Sequence, residues 1–418
     1  MIHHAGWLVV ILAVVDAGHA ADEWPQFRGP GGQGHAVATG LPVTWSESEH
    51  VAWKAAIPGA GWSSPVISGD QIWLTTATDI EGTPPGKSLR AVCVDRSSGM
   101  IRHDVEIFRL VSPPLLNAKN TFASPTPVLE AGRLYVHFGT YGTACLDTSS
   151  GEILWKNDEL KLDHKEGPGS SPVLHGDKLI LTCDGTDVQF VAALDKVTGK
   201  VVWKKKRTGK VNFVPDFRKA YCTPLIITAD GKTQVIVPGA DQVIAYDPAS
   251  GDEIWKVRYV GFSNVPRPVF GHDLVFVCTG YMKPELWAIR PNGSGTVDDS
   301  HIAWKTKKQI PNNPSPLLIG DNLFLANDRG IFTGFNAKSG EELWTERVGG
   351  NFSSSPMFAD GRIYISSEEG LTHVLKPGTK FESLARNQLD GRILASPAVV
   401  DRAIYLRTDK SLYRIEQK

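Results

Sequence analysis

The chain has 418 residues, with 44 Lys and Arg against 45 Asp and Glu, a formal net charge of -1. Charged residues make up 21% and hydrophobic ones 41%, ordinary globular values that exclude a disordered or collagen-like chain. Balanced charge excludes a global field that would draw the chain to nucleic acid or a membrane surface, and no nucleic-acid partner is expected. The unusual counts are 41 Gly, 27 Pro and 12 Trp, which point to many turns and short strands rather than long helices.

In chain order, the first element reads as a sorting signal. Gly6 to Val15 is one apolar run, too short for a membrane-spanning helix of about 20 residues. Gly18-His19-Ala20 then offers small residues for cleavage. His3 and His4 stand where Lys or Arg is usual. Residues 1–20 are therefore expected to be a signal peptide, and the mature chain periplasmic or secreted with no transmembrane segment. No Cys follows the apolar run, so no lipid-anchor site is seen. Residues 21–49 read as an N-terminal extension. The cysteines are Cys93, Cys145, Cys183, Cys222 and Cys278. An odd count without a CxxC or a His/Cys cluster is neither a disulfide framework nor a zinc site. Cys93 and Cys145 fall in adjacent repeats, too far apart to bridge, and are expected to be buried free thiols.

The remainder is one unit repeated. A Ser-Pro-like step recurs at Ser64, Thr126, Ser171, Thr223, Arg267, Ser315, Ser355 and Ser396, each followed by Pro. The intervals are 62, 45, 52, 44, 48, 40 and 41 residues, and such a period signals a repeat architecture. A short apolar strand follows each step, for example Gln71 to Leu74 or Arg362 to Ile365. Next comes a turn: Asp147 to Gly151 before Trp155, Asp195 to Gly199 before Trp203, Asp247 to Gly251 before Trp255, and Asn336 to Gly340 before Trp344. The Asp or Asn side chain accepts backbone N–H groups of the turn. Gly tolerates its positive φ. The Trp lies on the next strand, where its flat face packs on a neighbouring sheet. Asp95 to Gly99 has no such Trp, Trp304 follows a longer loop, and the seventh copy carries Lys376, Gly378 and Leu384.

Each unit thus reads as four short strands, and radial repetition of such sheets is a propeller. The predicted fold is all-β: an eight-bladed β-propeller of four-stranded antiparallel blades over residues 50–418. The last unit, from Ser396, holds three strands. The missing outer strand is expected at residues 50–57, around Trp53, so that the N-terminal strand joins the C-terminal blade and closes the ring.

The Ser-Pro-Val, Ala-x-Asp-x-x-Thr-Gly and Trp pattern, best seen in Ala193 to Trp203, resembles the tryptophan-docking repeats of pyrroloquinoline-quinone-type propellers. The opening Trp24-Pro25-Gln26-Phe27-Arg28-Gly29-Pro30 is similar to a segment of exported, largely uncharacterised members. The resemblance covers roughly residues 22–418. That family includes quinoprotein dehydrogenases and non-catalytic scaffolds, such as the propeller subunit of the bacterial outer-membrane-protein assembly machine. For the enzymatic branch it implies pyrroloquinoline quinone and Ca²⁺. Two departures stand against that branch: no two cysteines are adjacent to form the disulfide on which the quinone stacks, and there is no haem-binding Cys-x-x-Cys-His. The scaffold subunit is usually a lipoprotein, and here the lipid-anchor Cys is missing.

The loops entering the Pro strands should converge on one mouth of the central channel. Their candidate ligand-contacting residues are Trp62, Lys119, Asn120, Lys165, Tyr221, Arg267, Asn312, Asn313 and Arg392. Cations exceed anions there, which suits an anionic or hydroxyl-rich ligand; the competing reading is a solvated rim capping the blades. Three weaker features are Asp163-His164-Lys165-Glu166 as a proton-transfer cluster, Asp184 to Asp187 as a cation turn, and the GPGGQG run at Gly29 to Gly34. The last follows no predicted strand and opens no helix, so a nucleotide reading fails. His137, His272 and His373 read as strand or turn histidines. The leading expectation is a monomeric, exported, non-catalytic binding or scaffold propeller whose mouth takes a protein partner or a small ligand. The alternatives are a quinone- and Ca²⁺-dependent alcohol or sugar oxidoreductase and, from Trp62 and Asn117, a carbohydrate-binding propeller.

Overall fold

The computed structural model describes residues 23–417, so the apolar run and its cleavage site lie outside the described residues. Eight sheets are arranged in chain order, each with a four-stranded antiparallel core. In blade 3, the strands run Val173–His175, Lys178–Asp184, Gln189–Asp195 and Val201–Lys206, from the channel outwards. Blade 1 gains a fifth strand, Glu23–Trp24, on its innermost edge, and blade 4 gains Gly295–Thr296 on its outermost one. Val51–Ala56 pairs antiparallel with Ser411–Glu416 and completes blade 8, as the strand count predicts. The middle strands are buried on both faces and supply the apolar layers between blades.

The Ser-Pro step has a physical role. The backbone N–H of Ser64 donates to Thr126 Oγ1, Thr126 to Ser171, Ser171 to Thr223, Arg267 to Ser315, Ser315 to Ser355, Ser355 to Ser396, and Ser396 back to Ser64, all at 2.8–3.1 Å. Each hydroxyl thus satisfies a buried donor of the preceding blade. Arg267 has no hydroxyl, so the junction between blades 4 and 5 is different. There Arg267 Nε donates to Pro224 O at 3.0 Å and Cys222 Sγ to Pro266 O at 3.1 Å.

The turns also join blades. Asp195 Oδ1 accepts the N–H groups of Val197 and Thr198 at 3.1 and 2.7 Å, and Gly199 has φ 72°. A Cβ on Gly199 would lie 2.5 Å from the Trp155 ring of the preceding blade, and one on Gly251 2.6 Å from Trp203. Each indole then donates Nε1 into that turn, Trp155 to Lys196 O at 3.1 Å and Trp203 to Pro248 O at 3.2 Å. Trp53 docks in the same way on blade 1, donating to Arg96 O at 3.1 Å. Where blade 1 has no outer Trp, His103 stands over Gly151 of blade 2 instead.

Residues 23–49 thread through the ring. Trp24 pairs with Ile67 of blade 1, and Leu129 N of blade 2 donates to Pro25 O at 2.7 Å. Phe270 N of blade 5 donates to Gln33 Oε1 at 2.8 Å, His35 Nε2 meets Leu318 O of blade 6 at 2.7 Å, and Phe358 N of blade 7 donates to Gly34 O at 2.7 Å. The segment therefore closes the end of the channel where the inner strands finish. The glycine run serves this path: a Cβ on Gly29 would strike the Trp24 ring at 2.7 Å, and one on Gly32 would strike the Arg267 guanidinium at 2.0 Å. Leu41 and Trp45 then pack into the core shared by blades 7, 8 and 1.

Candidate functional site

With its far end closed, the channel becomes a blind funnel of about 670 Å³ opening on the opposite face. Phe27 is its floor, and the hydroxyl ring, including Thr126, Ser171 and Ser355, forms its lower wall. Two sets of loops build the mouth: those entering each inner strand, and those between the second and third strands. Strand alternation puts both sets on one face.

Two hydrogen-bonded clusters order the rim. In the first, the nearly buried Lys219 ammonium pairs with Glu166 at 3.2 Å, and Asn117 Nδ2 donates to Glu166 Oε2 at 3.1 Å. Asn120 Nδ2 adds a bond to Glu166 O at 2.9 Å, and Tyr221 OH donates to His164 O at 2.8 Å. Three loops, those entering blades 2, 3 and 4, are tied by these contacts. In the second, Glu368 of blade 7 accepts from Lys119 Nζ at 2.8 Å, Ser353 Oγ at 2.7 Å and Arg392 Nη2 at 3.4 Å. Burial raises the Glu368 pKa, but the hydrogen bonds from Lys119 and Ser353 more than offset it and hold the carboxyl below its ordinary range. Arg392 also stands 6.0 Å from the centre of the Trp62 ring. Asp328 accepts the Asn312 N–H at 2.7 Å and a bond from Asn313 Nδ2. Three cations, Lys119, Lys219 and Arg329, face two carboxylates along the lining. Arg329 is exposed and its guanidinium has no hydrogen-bond or ionic partner among the described residues.

Seven of the nine residues chosen from sequence gather here: Trp62, Lys119, Asn120, Tyr221, Asn312 and Asn313 line the funnel, and Arg392 lies behind Trp62. The other two are placed elsewhere. Lys165 pairs with Asp216 and does not line the funnel. Arg267 is fully buried below Phe27, donating to Phe27 O at 2.6 Å. Sequence reasoning missed Phe27, Asp328, Arg329 and Glu368. The last three lie between second and third strands, and strand parity alone assigns those loops to the mouth.

The weaker features are structural. Asp184 is buried in a bidentate pair with Arg207, whose Nη2 lies 2.7 Å from Asp184 Oδ2. It has no oxygen left for a cation turn. Asp163 accepts the Thr186 hydroxyl at 2.7 Å, and Asp163 N donates to Asp187 at 2.8 Å, so the proton-transfer cluster is a clasp between two loops. His164 is buried, and its Nε2 accepts the Thr140 N–H at 3.2 Å. All five cysteines are free and buried, as expected for Cys93 and Cys145.

Burial pushes the His164 pKa down to about 4 against the pull of Asp163 and Asp187, and pushes His137 down to about 3 with help from His164. In the unfolded chain both titrate near 6.5. Below that value the unfolded chain binds protons that the fold refuses. Stability is therefore full above about pH 6.5 and falls toward pH 4, by about 1.4 kcal/mol per pH unit for each histidine. A melting series at falling pH should show this loss, and a flat Tm from about pH 7 to 5 would contradict it.

The geometry does not fit the quinone–Ca²⁺ pair. Glu166, Asp328 and Glu368 are separately engaged by ammonium, guanidinium or amide groups. Among the described residues no three His, Cys, Asp or Glu side chains meet as a metal-ligand set. The cysteines are free and buried, with no adjacent pair to form a disulfide platform for the quinone.

Comparison with known proteins places the chain. A family model described as "Outer membrane protein assembly factor BamB" matches residues 47–212, 142–292, 189–352, 296–378 and 328–418. The outer membrane protein assembly factor BamB of Legionella pneumophila is 24% identical over 208 residues, 46% of this chain and 50% of that protein. The quinoprotein ethanol dehydrogenase of Pseudomonas aeruginosa is 31% identical over 146 residues, 32% of this chain and 22% of the enzyme. The chain therefore matches at most half the length of either relative. A europium-containing methanol dehydrogenase structure superposes with TM-score 0.66 at 11% identity, covering 93% of this chain and 90% of that one, which shows the fold alone. The continuous run of matched repeats from residue 47 to 418 shows that the chain belongs to the PQQ-like β-propeller repeat family described by that BamB model.

Proposed function

We propose that this protein is an exported, non-catalytic binding propeller that docks a partner protein on its mouth face. One observation carries the reading: the funnel is closed at its far end by the chain's own N-terminal segment, while several loops around its mouth expose large apolar side chains. Leu115, Phe213 and Val260 are 96%, 89% and 88% exposed on loops between blades 1 and 2, 3 and 4, and 4 and 5. Tyr281 and Met282 are also exposed beside them, and Phe262 stacks on Phe217 at 4.4 Å. Exposed apolar side chains clustered on one face mark a protein-interaction site. The funnel then receives an anionic or hydroxyl-rich side chain or small ligand through Lys119, Lys219 and Arg329.

Export rests on residues 1–20, and the exported protein should begin at Ala21 on N-terminal sequencing. The binding reading is tested by capture from cell-envelope extract. A partner retained by the native protein and lost from a Phe213→Asp, Val260→Asp double variant with unchanged Tm is the expected result. Equal retention by both proteins would defeat it. Calorimetric titration with pyrroloquinoline quinone, with and without Ca²⁺, is expected to give no heat. Saturable one-to-one binding that requires Ca²⁺ would replace the scaffold reading with the oxidoreductase one.

A further inference from the structure

Two guanidiniums lie fully buried in the closed end of the channel. Arg267 is satisfied by Pro224 O, Phe27 O and Gln26 Oε1 at 3.0, 2.6 and 3.3 Å. Arg28 is not. Its Nη2 donates to Gln33 O at 3.1 Å and to Pro356 O at 3.4 Å, but its Nε and Nη1 are buried with no acceptor. Trp24 Nε1, four residues earlier, is a third buried donor without an acceptor. All three orphaned groups donate, and all belong to one stretch of five residues.

The charge balance points the same way. Burial, with a smaller contribution from the charge of Arg267, lowers the Arg28 pKa to about 9. Arg267 is itself lowered to about 10 by burial. A buried cation without a counter-ion is costly, and two close together are more so. Water would give an acceptor but no charge, and it brings donors of its own. Space is limited: a Cβ on Gly34 would come within 2.7 Å of Arg28 Nη2, and one on Gly32 within 2.0 Å of Arg267.

We propose that Arg28 Nε and Nη1 hold one monatomic anion of the chloride class in the channel beneath Phe27, and that this anion seats the N-terminal segment. The site is distinct from the funnel above and does not depend on what the funnel binds.

The test uses the mature full chain, first equilibrated in sodium gluconate. Sodium bromide then replaces gluconate at constant ionic strength while Tm is followed. The expected result is a saturable rise of roughly 2 °C, with an anomalous bromide peak in contact with Arg28 Nε in crystals grown in bromide. An Arg28→Gln variant should show no rise. A flat melt in bromide overturns the proposal, as does a water at Arg28 in the bromide crystal. A rise with sulfate and none with bromide overturns the halide assignment. The crystal readout needs no variant and so stands even where Arg28→Gln fails to fold.

Discussion

Removing residues 23–57 should cost on the order of 5 kcal/mol or more and lower the Tm of the remaining chain sharply. Trp24 is almost fully buried, and loss of such an aromatic costs about 3–5 kcal/mol. Arg267 would lose Phe27 O and Gln26 Oε1, and its guanidinium would exchange these acceptors for channel water, a net loss of about 0.5–1.5 kcal/mol per bond. The strand Val51–Ala56 would no longer cover Ser411–Glu416, leaving an exposed edge that invites aggregation. Freedom regained by the deleted segment's neighbours offsets part of this. The measurement is thermal melting of both purified chains with light scattering alongside. A truncated chain that melts with the mature protein would disprove ring closure by this segment.

Trp203→Ala is the second large effect, at about 3–5 kcal/mol. The indole lies against Gly251 of the next blade and gives Nε1 to Pro248 O, so truncation removes packing and leaves that carbonyl without its donor. The contact is reciprocal in geometry. Gly251 has φ 73°, and any Cβ there would sit 2.6 Å from the Trp203 ring. Gly251→Ala should therefore destabilise as well, and the double variant should lose less than the sum of the two single losses. Strict additivity in a denaturant-melt cycle would show that the two residues do not act as one contact.

The repeat was legible because it is periodic. Ser or Thr before Pro, Asp four residues before Gly, and Trp four residues later each recur, and a propeller is the architecture that buries such units. The physical role of each signal was less legible. The Ser-Pro step marks a strand start in sequence, but its hydroxyl belongs to the preceding blade, a relation that no local pattern carries. Turn glycines read as positive-φ residues; that they also clear room for a neighbour's indole needs the three-dimensional ring. Residues 23–49 have neither strand alternation nor a repeat, so their path through the channel was invisible. For the same reason Phe27 was not foreseen as the floor. Arg267 was read as a mouth residue by its place in the repeat, and the N-terminal segment that buries it is what moved it out of reach. Asp328 and Glu368 were missed because attention rested on one of two loop sets.

The threaded segment also imposes an order on assembly. Phe27 meets Arg267 across 240 positions, and Arg28 meets Pro356 across 328. Glu23 to Pro25 can pair with blades 1 and 2 early, but the part from Phe27 to His35 lacks its partners until blades 5 to 7 exist, so it must wait while most of the ring is built. Early blades therefore form around an unfilled axis, and both the threading and the outer closing strand are among the last steps. Their entropy of closure falls on contacts of very long range, which makes the final step slow by topology rather than by any local barrier. A cell producing this protein has to protect an almost complete but open ring for that interval.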